Sequence, residues 1–160
     1  MYESFEPLVD RRPRWVLLAN AARARVIGRD PDTGALRELE SFVHPASRLH
    51  ASALGHNRPG AVVRGLGHST LEPPLAPEAR ERQRFAHELA RRLELLALGH
   101  HLPCWALVAS SPFLGAVRHG IGPQAAERLV AHHDRDFTGL PLHQLEPRLR
   151  QMLPPGPVVD

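Results

Sequence analysis

Short apolar runs bounded by polar or turn-forming residues dominate the first part of the chain. Residues 14–20 (RWVLLAN) form one such run, and residues 24–29 and 36–44 form two more. Runs of this length without helical spacing are typical of strands. Between the last two runs, Pro31 and Gly34 predict a turn, because proline fixes φ and glycine can adopt positive φ. Three successive strands joined by short turns predict an antiparallel meander.

The clearest periodic pattern lies in residues 78–98. Its apolar positions have the spacing of one helical face and are Phe85, Leu89, Leu93 and Leu96. Pro77 suits the first turn of this helix, where a missing N–H costs nothing. Opposite charges four residues apart predict three ion pairs on the outer face, namely Glu78 with Arg82, Arg84 with Glu88, and Glu88 with Arg92.

The rest of the chain alternates strands and helices. Residues 104–109 (CWALVA) predict a central strand, after which Ser111 can cap a short helix beginning at Pro112. Three further elements are predicted: a helix from Pro123, a short strand over 133–138, and a last helix that restarts near Pro147 because proline breaks a continuous helix. This order predicts an α/β fold with a mixed sheet and helices on its faces, for which the ribonuclease H-like topology is one known solution.

These elements are expected to form a single domain over residues 14–153, with loosely held tails at 1–13 and 154–160. The unusual feature is the segment 44–77, which lacks periodicity and far exceeds the ordinary loop length of about 4–6 residues. It carries three arginines and four histidines against one acid, Glu72. A long basic segment rich in glycine is typical of a phosphate-binding loop. The alternative is a solvated connection without a ligand.

Composition narrows the expected setting. The formal net charge of the 160 residues is +3, and every basic residue is arginine, which binds phosphate through paired hydrogen bonds; a GC-rich genome would enrich arginine as well. Cys104 is the only cysteine, which excludes an intrachain disulfide and a cysteine-based zinc site. The apolar runs are too short for a bilayer, and residues 1–14 lack the apolar stretch of a secretory signal. A reducing, cytoplasmic setting is expected, without membrane association.

Six stretches in a set order carry a family resemblance. They are WVLLANAARARV at 15–26, ESFVHPASRLHASALGHNRPG at 40–60, GHSTLEP at 67–73, ERQRFAHELARRLE at 81–94, SSPFLGAVR at 110–118 and DRDFTGLPLHQL at 134–145. Together they resemble the family called "protein required for attachment to host cells". The resemblance covers residues 14–150, and it rests on the ordered set rather than on any single motif.

That family resembles the middle domain of archaeal and eukaryotic peptide-chain release factors. The resemblance implies three strands, a glycine-rich loop and a long helix with an Arg-Phe-Ala-type sequence, which matches residues 84–86 here. In release factors the loop carries Gly-Gly-Gln and enters the peptidyl-transferase centre of the ribosome. The loop here reads GLGH at 65–68 and contains no glutamine between residues 44 and 77, which argues against peptidyl-tRNA hydrolysis.

The resemblance and the basic segment together favour a non-catalytic, translation-associated module that binds RNA or the ribosome. The predicted anion- or RNA-binding residues all lie in the long segment: Arg48, His50, Arg58, Arg64, Gly65, Gly67 and His68. No cofactor and no DNA partner are expected, and the oligomeric state is left open. Any role in attachment is expected to be indirect, through gene expression or translation. Two alternatives stay open: a hydrolase acting on peptidyl-tRNA or RNA, and a protein-interaction module that docks on an acidic protein.

Other candidate chemistry is weaker. Asp134 and Asp136 would share one face of the strand predicted at 133–138, as a two-metal nuclease requires. Such an enzyme also needs a carboxylate on the first strand, where this chain has Asn20. The alternative is a pair of acids held by nearby arginines. The two adjacent histidine pairs lack the spacing of a helical metal site. The sequence therefore predicts no catalytic residue and no metal site.

Overall fold

Five strands and four helices make up residues 11–44 and 76–153, the part of the chain that the computed structural model describes. The strands are β1 (Trp15–Ala19), β2 (Arg23–Arg29), β3 (Leu36–Val43), β4 (Trp105–Ala109) and β5 (Leu129–Asp134). The helices are α1 (Pro77–Leu98), α2 (Phe113–Gly120), α3 (Pro123–Arg128) and α4 (Leu142–Met152). The predicted α/β class is confirmed.

The strands form one mixed sheet in the order β3-β2-β1-β4-β5. The first three pair antiparallel, as the predicted meander requires, whereas β4 pairs parallel with both β1 and β5. In the centre of the sheet, β1 and β4 align from Trp15 opposite Trp105 to Ala19 opposite Ala109. Nearly every residue of these two strands is buried, as expected where helices cover both faces of a sheet.

Helices cover the two faces unequally. On one face, α1, α2 and α3 pack over a core that includes Leu17, Leu107 and Phe113. On the other face, α4 places Leu145 and Leu149 against the opposite side of the same central strands. Of the helices in residues 76–153, three thus share the first face and one covers the second.

The apolar face predicted for α1 is largely confirmed: Phe85, Leu89 and Leu93 are buried, and Leu96 is partly buried at its margin. The prediction of three ion pairs along its outer face is wrong: Glu78 and Arg82 form no ion pair with each other, and Arg84 and Arg92 pair with other carboxylates. Arg84 pairs with Glu81 at 3.2 Å, and Arg92 pairs with Glu40 of β3 while its guanidinium lies 5.3 Å from the ring centre of Phe42. A neighbouring strand offers Arg92 both a carboxylate and an aromatic face, which a partner on its own helix does not.

Two predictions for the last third of the chain are wrong. The short strand expected over 133–138 lies earlier, as β5, and α3 ends at Arg128, so Leu129 and Val130 belong to the strand. The parallel edge of β4 needs hydrogen-bond partners for its buried backbone, and this tertiary requirement overrides the local helical pattern. In addition, α4 continues through Pro147. Leu145 and Leu149 lie on either side of the proline, and their burial offsets the missing backbone hydrogen bond.

Truncation of the α1 face tests this packing. Leu89 is 5 % exposed, so Leu89→Ala should lower the free energy of unfolding by about 2–5 kcal/mol through lost burial and a residual cavity. Leu95 of the same helix is 58 % exposed, and Leu95→Ala should change that free energy by less than about 0.5 kcal/mol. Urea denaturation measures both. Equal losses in the two variants would contradict the orientation of α1.

Candidate functional site

The anion-binding residues predicted from the sequence lie outside the described residues: Arg48, His50, Arg58, Arg64, Gly65, Gly67 and His68. The proposed tails fall there too, apart from residues 11–13. The structure does describe β3 and α1, the elements to which the two ends of the long segment connect. It also describes a polar edge of the sheet.

A buried pair of side chains joins the end of β3 to the start of α1, the two elements on either side of the long segment. His44 directly follows β3, Glu81 lies near the start of α1, and the His44 Nε2 and Glu81 Oε2 atoms are 3.1 Å apart. The side chains are only 7 % and 10 % exposed. The His44 ring stacks on Phe85, with 4.8 Å between ring centres, and Phe85 stacks on Phe113. Residues 37 positions apart are thereby held together at the margin of the core.

Polar side chains also gather at one edge of the sheet. Because β1, β4 and β5 run parallel, their carboxyl ends meet at the same edge, which is where open α/β sheets commonly bind ligands. Asn20 follows β1, Ser111 follows β4, and Asp134 ends β5. The segment after β5 adds Asp136 and Thr138. We call these five residues the carboxyl-end cluster.

Asn20 connects two members of this cluster, Asp136 and Thr138, to the end of β1. Its Oδ1 accepts hydrogen bonds from the backbone N–H groups of Ala22 (2.8 Å) and Arg23 (2.9 Å), which closes the turn between β1 and β2. Its Nδ2 donates to Asp136 Oδ2 at 3.0 Å and to Thr138 Oγ1 at 3.1 Å. The amide therefore ties the end of β1 to the segment after β5, and both of its polar atoms are engaged.

Asp136 and Thr138 form a compact turn beneath Asn20. Asp136 Oδ1 accepts from the backbone N–H of Thr138 at 3.0 Å and from its hydroxyl at 2.6 Å. Arg23 Nε donates to the same hydroxyl oxygen. Partial burial tends to raise the pKa of Asp136, but the hydrogen bonds from Thr138 and Asn20 outweigh that effect, so its pKa lies below the ordinary value. Asp136 is thus an ionised carboxylate with protein donors around it.

Asp134 has a separate partner. Its Oδ1 accepts from the backbone N–H of Ser111 at 3.0 Å, and its Oδ2 accepts from the Ser111 hydroxyl at 2.7 Å. The hydroxyl bond and then the backbone bond lower the pKa of Asp134. Ser111 was predicted to cap α2, and that prediction is wrong: α2 begins at Phe113, behind Pro112, and receives no side-chain cap.

The shared face predicted for Asp134 and Asp136 is not formed. Asp134 is the last residue of β5, while Asp136 lies beyond the strand and bonds to Asn20 and Thr138. Over residues 11–44 and 76–153, no group of three or more histidine, cysteine or acidic side chains has an arrangement that could hold a metal ion. The two carboxylates are joined to different elements rather than to each other.

Arg25 of β2 also holds the segment after β5 in place at this edge. Its guanidinium makes paired hydrogen bonds to the Glu38 carboxylate, at 2.9 and 3.0 Å, and donates to the backbone oxygens of Thr138 and Leu140. This arginine anchors the segment after β5 to the sheet. Sequence reasoning missed this role and missed Thr138, although the Asp-Phe-Thr spacing at 136–138 is typical of a side-chain-closed turn.

The fold and this edge together define a mixed α/β domain whose parallel strands end in a hydrogen-bonded polar cluster. The chain matches the family model described as "Protein required for attachment to host cells" over residues 15–149, and it belongs to that family. No curated protein matches the chain. None of the helices in the described ranges is long and apolar enough to cross a membrane.

The lowered pKa of Asp136 predicts a contribution to acid stability. A carboxyl whose pKa is lower in the folded state stabilises the fold above its unfolded pKa of about 3.9, and this stabilisation is lost as pH falls through the folded pKa. Asp136→Asn keeps an acceptor oxygen but cannot titrate. We therefore expect the variant to be less stable at neutral pH and to lose less stability than the parent on acidification. Denaturation curves between about pH 6 and pH 2 measure this.

A direct titration provides the second measurement. Carbon-13 NMR of the Asp136 carboxyl should give a midpoint below the ordinary value for aspartate. The hydrogen bonds from Thr138 and Asn20 would be shown not to form in solution by two results together. The free energy of unfolding would depend on pH in the same way for the parent and Asp136→Asn, and the Asp136 carboxyl would titrate with the midpoint of an ordinary aspartate.

Loss of the His44–Glu81 contact should destabilise the fold. Glu81→Ala leaves the buried imidazole of His44 without this partner, so we expect a loss of about 1–3 kcal/mol in the free energy of unfolding. Arg84→Ala is the control, since it removes the 59 %-exposed partner of the same carboxylate and should cost less than about 1 kcal/mol. If chemical denaturation gave the same small loss for both, the buried contact would not hold the two ends together.

Proposed function

We propose that this protein is a non-catalytic, translation-associated module that binds RNA or the ribosome through residues 44–77, in the cytoplasm. The observation that carries the proposal is the His44–Glu81 pair, which attaches the two ends of a basic segment to one place on a packed frame. A segment tethered at both ends has less conformational freedom to lose when it binds phosphate. The residues assigned to the phosphates are Arg48, Arg58 and Arg64. The backbone N–H groups of Gly65 and Gly67 and the side chains of His50 and His68 are assigned as further donors.

Strand order supports a ribonuclease H-like assignment and, through it, the relation to the release-factor middle domain. An antiparallel meander that continues into two parallel strands is common to that fold, and the long helix α1 begins soon after the segment, as the resemblance implies. In this assignment residues 14–153 form the domain. The segment then corresponds to the release-factor loop that enters the ribosome.

The contacts of the carboxyl-end cluster favour binding over hydrolysis. Metal-assisted hydrolysis needs carboxylate oxygens that converge on a cation. Here the position at the end of β1 is Asn20, an amide that donates to Asp136, and Ser111 donates twice to Asp134. The segment also lacks the glutamine of the release-factor loop. The family's link to attachment is then an indirect effect of translation.

Ribosome co-sedimentation at several salt concentrations tests the proposal. Arginine contacts with phosphates release counterions, so binding should weaken steeply as salt rises. Replacement of Arg48, Arg58 and Arg64 together by alanine should lower affinity for ribosomes or ribosomal RNA and flatten the salt slope by up to about three units. Asp134→Asn and Asp136→Asn should leave binding intact.

The control removes the same charge from elsewhere. Arg14, Arg37 and Arg91 are exposed residues of the described surface, and their joint replacement by alanine should leave the salt slope nearly unchanged. Equal binding by the parent and the segment variant at every salt concentration would refute the assignment to residues 44–77. Turnover of RNA that disappears with the aspartate variants would favour the hydrolase instead.

A further inference from the structure

An open groove lies between α1 and α2, next to the point where the long segment is tethered. It has a volume of about 630 Å³, which is within the range of about 300–1,000 Å³ typical of small-molecule sites. The described residues that line it are Arg82, Gln83 and His87 from α1, Pro112 before α2, and Ala116, His119 and Gly120 from α2. Arg82 directly follows Glu81, the partner of His44, in the sequence of α1.

The polar side chains of this groove differ from those of the carboxyl-end cluster. The side chains of Arg82, His87 and His119 make no hydrogen bond or ion pair with residues 11–44 and 76–153, whereas the side chain of every member of the cluster does. No acidic residue is among the described residues that line the groove. Three nitrogen-rich side chains thus face one concave surface without a carboxylate among them, which favours an anionic ligand.

The shapes of these side chains narrow the ligand further. Guanidinium and imidazole groups donate hydrogen bonds to phosphate, and their planar faces also stack on nucleobases. Pro112 and Ala116 add an apolar wall against which a base can lie. A free phosphate would use only the donors, and an acidic peptide would use only the charge, while a nucleotide uses donors, planar faces and apolar wall together.

We propose that this groove binds one nucleotide of a single-stranded RNA, with its phosphate on Arg82 and its base stacked against His87 or His119. The inference rests on the proposed function and extends it, because it places a base-stacking site on the packed helices beside the phosphate-binding segment. RNA held by residues 44–77 would be close to the groove, because that segment leads into α1 at Pro77 and Arg82 lies near the start of this helix. The groove is therefore the part of the site where a base, rather than the backbone alone, contacts the protein.

The experiment measures binding of a fluorescein-labelled single-stranded RNA of about ten nucleotides to the full chain. Replacement of Arg82, His87 and His119 together by alanine should weaken binding at least about tenfold, since a stacked base and a phosphate contact are both lost. Arg91, His101 and His143 have the same side-chain types and are exposed outside the groove. Their joint replacement by alanine should change affinity less than about twofold. Histidine ring NMR signals of His87 and His119 should shift when RNA is added.

The outcomes separate this inference from the proposed function. If the groove variant binds like the parent while the segment variant loses binding, the groove inference fails and the proposed function stands. If the groove variant loses binding while the segment variant binds like the parent, the groove holds and the assignment to residues 44–77 fails. Absence of RNA binding by the parent overturns the groove inference, and ribosome co-sedimentation then decides whether the proposed function stands. Displacement of the RNA by polyglutamate as efficiently as by unlabelled RNA overturns the nucleotide assignment, because carboxylates cannot stack.

Discussion

The parallel pairing of β1 with β4 is the constraint on which the rest of this structure depends. Both strands are buried runs of five residues that lie opposite each other from end to end. Because β1 is antiparallel to β2 and parallel to β4, the sheet changes from antiparallel to parallel pairing at β1. The chain must then cross from β3 to β4 over one face, and α1 makes that crossing. It also follows that β1, β4 and β5 end at one edge, where Asn20 bonds to Asp136 and Ser111 bonds to Asp134.

The crossing explains why a polar pair is buried at the start of α1. The chain leaves the sheet at His44 and returns at α1, so the two positions come together at the margin of a hydrophobic layer. An imidazole buried there without a partner would be costly, and the Glu81 carboxylate together with the rings of Phe85 and Phe113 gives it both polar and stacking contacts. The same contacts bring the ends of the 44–77 segment to one place. The contacts that complete the core at this point are therefore the same contacts that hold the ends of the segment together.

The sequence correctly predicts elements that are determined by their own apolar pattern. Predictions from the sequence are wrong where contacts with a distant part of the chain determine the element. The central strands and the buried face of α1 follow from runs and spacings that no other part of the chain contradicts. The position of β5 depends instead on the open edge of β4, and the continuity of α4 through Pro147 depends on what Leu145 and Leu149 cover. At the site, the sequence marked Asn20, Ser111 and the two aspartates, but their pairing across elements could not be read from spacing. Ser111 donates a hydrogen bond to Asp134, which lies more than twenty residues away in the sequence, and rules for helix capping do not predict such a contact.

Net charge alone is a poor guide to the partner of this protein, because many of its arginines are used internally. Arg25 donates to Glu38 and to two backbone oxygens, Arg92 is held by Glu40 and Phe42, and Arg23 is bonded to Thr138. A guanidinium already paired with protein oxygens has few donors left for phosphate and releases few counterions when RNA approaches. The arginines that define a binding surface are those without such partners. Among the described residues, this criterion excludes Arg23 and Arg25 of β2, which are bonded to protein oxygens. It admits Arg82 of α1, and the position of Arg82 in the groove distinguishes it from exposed arginines such as Arg91.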